Sequence, residues 1–313
     1  METTRRAFLA QTAAGSLALT NPAFARAQVE KAPQIISFGF SLYAMRTLTL
    51  NAALEACAKI GYDAVELALM PNWPAEPKRL DRDQRRQLRD RLRNLRLGLP
   101  ALMENLPLHG NAQTHRDNLQ RLQAALDLGA ELSPDAPPLI ETILGGATGD
   151  WDKLRRQFAD RLGDWARLAE KHKTVLAVKP HRSNAMNLPS QALWLLDQVK
   201  SPWIKLAYDY SHFQHRDLSI ADTVKQLLPH TRFIHIKDTR LEKGRATFVL
   251  PGDGGVDYPQ LLRGIRAADY RGCICVEVSG QVQNLKGYDP LAAARRSYEN
   301  VAPAFTKAEI RRR

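Results

Sequence analysis

Leu206-Ala207-Tyr208-Asp209-Tyr210-Ser211-His212 ends a short apolar run on a carboxylate and sets an imidazole three residues further on. The next two apolar runs repeat the arrangement: Phe233-Ile234-His235-Ile236-Lys237-Asp238 carries His235, and Cys273-Ile274-Cys275-Val276-Glu277-Val278 carries Glu277. Three consecutive strand-like segments each deliver a metal-competent or proton-transferring side chain at the carboxyl end. That is the pattern of a parallel barrel whose site is assembled at one rim. A lone buried His or Glu is ordinarily a satisfied structural group, whereas three at equivalent strand ends point to function.

Working outward from these runs, short apolar segments recur at Ile35–Phe40, Ala64–Ala68, Gly98–Met103, Leu139–Leu144, Thr174–Lys179, Ile204–Asp209, Arg232–Ile236 and Cys273–Val278. Longer amphipathic stretches lie between them: Leu50–Ile60, Asp81–Arg96, His115–Leu128, Trp151–His172, Pro189–Val199, Ile220–Leu228 and Tyr258–Ala268. Ile60-Gly61 and Asp269-Tyr270-Arg271-Gly272 supply the turn chemistry that stops a helix before a strand. The alternation predicts an α/β fold, a single (β/α)8 TIM barrel. An open doubly wound sheet is the competing architecture, and the first strand lacks the Gly-x-Gly-x-x-Gly turn of its commonest dinucleotide-binding form.

The amino terminus reads as an address. Arg5-Arg6, a modest apolar stretch from Phe8 to Ala18 and small residues around Ala23-Phe24-Ala25-Arg26-Ala27 form the pattern of a twin-arginine signal over residues 1–27. The barrel is then expected over residues 28–313, exported to the periplasm or beyond, with the twin-arginine translocation machinery as a transient partner. No later stretch is long and apolar enough for a membrane span. The formal charge of +12 is concentrated in Lys78–Arg96, where nine Lys/Arg face three Asp. Leu88, Leu92 and Leu95 on one side make this a helix with a solvated basic face, and without aromatic interleaving or a motif no nucleic-acid partner is expected. Three cysteines make no disulfide framework. Cys273 and Cys275 share a strand face with Glu277 and are expected to be small interior fillers.

Side chains of a barrel strand alternate between the interior and the helix layer. With Glu277, His235 and Asp209 inward, Cys275, Phe233 and Ala207 fall one layer lower. The same parity sends Lys179 inward from the fifth strand, with His181 following, and Glu141 inward from the fourth. Glu141, Lys179, Asp209, His235 and Glu277 then converge on one rim, where buried charges must pair with one another or hold an ion.

At these residues the chain resembles the sugar-phosphate isomerase/epimerase superfamily, the xylose-isomerase-like barrels. Gly61-Tyr62-Asp63-Ala64-Val65-Glu66-Leu67, Pro180-His181-Arg182, Asp209-x-x-His212, His235-x-Lys237-Asp238, Leu250-Pro251-Gly252-Asp253-Gly254 and the closing Glu277 carry the resemblance. It implies a divalent ion (Mn, Mg or Zn) held by Glu, Asp, His and Glu at the ends of strands five to eight. The chain departs at Lys179, which stands where the resemblance expects a ligand Glu, and a protonated lysine cannot ligate. Three readings stay open. Glu141 replaces the lost carboxylate, giving a metal set of Glu141, Asp209, His235 and Glu277; the Lys179 ammonium replaces the metal; or the protein is a lapsed enzyme that binds a sugar.

The resemblance further implies proton abstraction next to a carbonyl through an enediolate, leading to isomerisation or epimerisation of a carbohydrate or polyol, or, with loss of a β-hydroxyl, to dehydration. Glu277 is the expected base, Lys179 the acid or electrophile, and His212 a further catalytic candidate. His181, Glu104, Asn105 and Trp73 are expected to bind substrate.

Overall fold

In the computed structural model the described residues run from 34 to 313. The proposed signal over residues 1–27 lies outside them. Strand β1 (Ile35–Ser41) is parallel to β2 (Ala64–Ala68), which pairs with β3 (Gly98–Met103), and so on through β4 (Leu139–Thr142), β5 (Leu176–Val178), β6 (Ile204–Tyr208) and β7 (Thr231–Ile236). Strand β10 (Cys273–Val276) pairs with both β7 and β1, closing eight parallel strands into a barrel. All eight predicted strands are present, and closure rules out the open sheet.

Helices α1 (Leu50–Ile60), α2 (Arg82–Asn94), α3 (Ala112–Leu132), α4 (Trp151–His172), α5 (Pro189–Val199) and α6 (Ile220–Leu227) follow the first six strands in turn. Helix α1 stops at Gly61, which takes φ 107° and a left-handed conformation that a side chain would strain. Helix α2 begins with a capping box in which Asp81 accepts from the Gln84 backbone and Gln84 answers to Asp81. Its Leu88 and Leu92 are buried, while its arginines reach Glu131, Glu55 and Asp90 on the outside.

After β7 the alternation breaks. An antiparallel hairpin, β8 (Asp238–Glu242) and β9 (Arg245–Val249), turns through Lys243 and Gly244, both at positive φ, before α7 (Tyr258–Ala267). Asp238 anchors the return: its carboxylate accepts from the backbone N–H of Thr239, Gly252 and Val256. After β10 come a short α8 (Gly280–Gln283), then α9 (Pro290–Lys307) and a two-residue strand β11 (Arg311–Arg312) beside β1. Among the described residues no helix is long and apolar enough to cross a membrane.

Inside the barrel Ala64, Ala101, Ala177, Ala207, Phe233, Cys273 and Cys275 form one packed cluster. Small residues dominate, so Phe233 fills the centre. Cys273 and Cys275 are the interior fillers that their parity predicts. This cluster is the floor on which the charged residues stand.

Candidate active site at the carboxyl-end rim

One step above the floor, five strands present charged groups inward. Lys179 follows β5, and its Nζ lies 3.0 Å from Glu141 Oε1 on β4, 2.9 Å from Glu277 Oε2 beyond β10 and 2.9 Å from His235 Nδ1 on β7. The five residues that sequence parity placed on one rim therefore meet: Glu141, Lys179, Asp209, His235 and Glu277 form one linked cluster, and His212 adjoins it.

Two members were not foreseen. Lys237, two residues past His235 on the same parity, bonds Asp209 Oδ2 and lies 2.7 Å from Glu277 Oε2. Glu66, inward on β2, holds His235 Nε2 at 2.9 Å. Both were legible by the alternation that located Lys179. Glu66 was hidden within Ala-Val-Glu-Leu-Ala, and Lys237 within a motif whose histidine drew attention first.

The electrostatics follow from burial and pairing. Burial opposes the Lys179 ammonium, but the carboxylates of Glu141, Glu277 and Asp209 outweigh it and hold its pKa above the ordinary lysine value. Glu277 is likewise penalised by burial, yet Lys179, Lys237 and His235 hold its carboxyl well below the usual range, so it is ionised. Burial disfavours the His235 imidazolium, and Glu66 together with Glu277 reverses this, raising the ring to about 9. Nε2 is bonded to Glu66 at 2.9 Å, and Nδ1 lies 2.9 Å from Lys179 Nζ and 3.2 Å from Glu277 Oε2.

Glu141 is the exception. Burial pushes its carboxyl up, Lys179 only partly offsets this, and neither oxygen has a hydrogen-bond partner despite the 3.0 Å ionic contact. Such separation of carboxyl pKa values within one site is how acid and base roles are divided.

Asp209 caps the turn after β6, accepting from the Ser211 backbone at 3.0 Å and from its hydroxyl at 2.6 Å. His212, fully buried, accepts from the Arg182 N–H at Nδ1, which leaves the proton on Nε2. That Nε2 lies 3.6 Å from Asp209 and has no hydrogen-bond partner. Burial, then Lys237 and its neighbours, hold His212 well below its ordinary value, and His181, whose tilted ring has its centroid 4.2 Å away, is lowered to about 3 by burial and the two lysines. Both rings are neutral donors or acceptors at pH 7. Phe248 from β9 packs edge-on to His212 and lies under the Lys237 and Arg182 cations, so the hairpin covers one side of the rim.

The remaining substrate-binding expectations divide. Trp73 stacks on Tyr43, donates to its carbonyl at 3.2 Å and packs over Ala68, Met70 and Met103 above the interior layer. Tyr43 itself feels the site: burial and then the Glu277 carboxylate raise its phenol. Glu104 is corrected. Met103 points inward, so Glu104 points out to the helix layer, where it pairs with Arg121 of α3 and lines a cavity of about 270 Å³ with Glu76 and Gln120. Burial raises its carboxyl to about 7 against the Arg121 charge. Asn105 is tied to the same arginine by its backbone carbonyl, at 3.2 Å.

A divalent ion fits this cluster poorly. The atoms expected as ligands already face Nζ of Lys179 or Lys237, and an ammonium seated among them holds the place that an ion would need. Among the described residues no three of Glu141, Asp209, His235 and Glu277 bring ligand atoms within 4.8 Å of one another; Glu66, His235 and Cys275 do. That trio lies lower, however, with His235 Nε2 bonded to Glu66 and the Cys275 thiol kept protonated by burial.

A closed eight-stranded barrel with its charged residues gathered at the carboxyl-end rim defines the class. Residues 54–301 match the xylose isomerase-like TIM barrel family, and the chain belongs to it. It is 24% identical over 159 residues to an inosose dehydratase of Mesomycoplasma hyopneumoniae (strain 7448), covering 46% of this chain and 51% of that protein. The chain thus spans about half the length of the curated relatives it matches. Among solved structures, the IolI protein with a bound zinc atom superposes with a TM-score of 0.70 at 18% identity, over 87% of this chain and 100% of that one. The 3-keto-D-glucoside 4-epimerase of E. coli does so with a TM-score of 0.67 at 16% identity, over 86% and 99%.

Proposed function

We propose that the protein is a sugar-modifying enzyme that removes a proton from the carbon next to a carbonyl of a keto-sugar or polyol, passing through an enediolate to an epimer or isomer. The observation that carries this is Glu277 Oε2, an ionised carboxylate oxygen shared between Lys179 Nζ at 2.9 Å and Lys237 Nζ at 2.7 Å. Its side chain keeps 13% exposure while both lysines are at 2%, so substrate meets the cluster at Glu277.

A substrate carbonyl oxygen that enters there competes for the ammonium protons. Each hydrogen bond it takes is one lost by Glu277, whose basicity rises as the carbonyl is polarised. Negative charge that develops on the enediolate oxygen is then met by two fixed cations in a site of low dielectric. An ammonium gives a proton to the enediolate, and the proton held by Glu277 passes to the resulting amine across their existing contact, restoring the ion pair. His212 Nε2–H and His181 are placed to bind neighbouring hydroxyls.

Dehydration shares the first step, and the inosose dehydratases among the relatives favour it as a second outcome. The arginine pair at Arg5-Arg6 supports export of this enzyme by the twin-arginine route, which favours an unphosphorylated sugar outside the cytoplasm. A panel of keto-sugars and keto-glycosides followed by NMR in D2O tests the reading. Conversion, or deuterium wash-in beside the carbonyl, is expected; binding with neither contradicts an enzyme and leaves a sugar-binding protein.

A further inference from the structure

We propose that the Lys179 ammonium occupies the place a divalent ion would take in this site, so that the protein's rim chemistry is metal-independent. The inference rests on the reading of the rim cluster as the active site and deepens it by assigning the electrophile.

Three side-chain atoms from three strands surround Lys179 Nζ at 2.9–3.0 Å: Glu141 Oε1, Glu277 Oε2 and His235 Nδ1. These belong to three of the four residues that the resemblance, with Glu141 standing in for the lost carboxylate, implies as ligands. Asp209, the fourth, is taken by Lys237, which also shares Glu277. Nζ therefore stands at the centre of the donor set, where an ion would have to sit. A second cation beside it would meet a fixed positive charge at contact distance, a repulsion that low dielectric magnifies. Lys179 is 2% exposed, its backbone N–H is bonded to the Thr142 carbonyl at 2.9 Å, and its ammonium is held between the Glu141 and Glu277 carboxylates.

An ammonium at this position also does what the ion would do for an enediolate, offering positive charge and hydrogen-bond donors to a developing oxyanion. It carries one charge where a dication carries two, and Lys237, on the other side of the same Glu277 oxygen, supplies the second. The pair of lysines thus equals a divalent ion in charge while spreading it over two donors, each fixed by its own carboxylate.

The test is metal content and metal affinity, neither of which needs a substrate, so its failure is separable from failure of the catalytic reading. Untagged protein grown with added manganese and zinc is expected to carry substoichiometric metal and to keep its thermal midpoint after dialysis against EDTA. Calorimetric titration with Mn²⁺ should then show Lys179→Met binding at least about a hundredfold more tightly than the unmodified protein, because Glu141 and Glu277 lose the cation between them. If Lys179→Met does not fold by circular dichroism, Lys179→Glu serves in its place and should gain binding likewise. One equivalent of metal in the unmodified protein, a midpoint lowered by EDTA, or a folded variant that binds Mn²⁺ no more tightly would each overturn the proposal.

Discussion

Lys179 Nζ lies 2.9 Å from Glu277 Oε2, joining the end of β5 to the end of β10 across the mouth of the barrel. The contact matters because each partner sets the other's protonation. The lysine keeps the carboxylate ionised, and the carboxylate, with Glu141, keeps the buried amine charged. Neither would be tolerated alone in this layer.

Lys179→Met removes the cation and leaves Glu141, Asp209 and Glu277 short of charge. Turnover of the active keto-sugar should fall by roughly 10²–10³, the scale of losing one preorganised donor to an oxyanion. The fold should lose about 3–5 kcal/mol, since a buried pair is broken on one side only. Steady-state kinetics and denaturant unfolding measure the two effects. Full turnover by the variant would remove Lys179 from the mechanism.

The His235 ring predicts a pH effect of definite sign. Its folded value of about 9 stands above the ordinary 6.5, so the folded state binds the extra proton. The stability this contributes is complete below about 6.5 and is lost as pH rises through about 9. Glu66→Gln removes the largest cause that raises the ring, so the loss should shift toward neutral pH. Thermal midpoints of both proteins from pH 6 to 10, taken at roughly unit intervals, read the shift directly. Parallel profiles would contradict the assignment of Glu66 as His235's charge partner.

How far the sequence carried can be judged at particular residues. Strand positions were legible because each barrel strand is buried on both faces and reads as an apolar run between turn signals. Asp209, His235 and Glu277 were legible because they interrupt such runs at equivalent places. The hairpin was not found, although Lys243-Gly244 between alternating residues is a hairpin turn; the expectation of a helix after every strand overrode it. Glu104 was nominated only because it follows the third strand, and the parity of that strand, with Ala101 and Met103 inward, sends it to the opposite layer. No local signal distinguishes a carboxylate that pairs with Lys179 from one that pairs with Arg121, because the partner is set by the fold.

The proposed export rests on Arg5 and Arg6. Changing both to lysine keeps the charge but removes the pair that the twin-arginine receptor reads, so the precursor should accumulate in the cytoplasm, as followed by cell fractionation. Undiminished export of the double variant would reject the route.

The most direct test of the central claim is solvent-deuterium wash-in at the carbon beside the carbonyl of a bound keto-sugar, followed by NMR for the unmodified protein and for Glu277→Gln. The amide keeps the shape of the side chain and cannot accept a proton. The account predicts wash-in by the unmodified protein and a loss of roughly 10²–10⁴ in its rate for Glu277→Gln, the range of a general base removed. Wash-in that continues at the same rate in Glu277→Gln would contradict it.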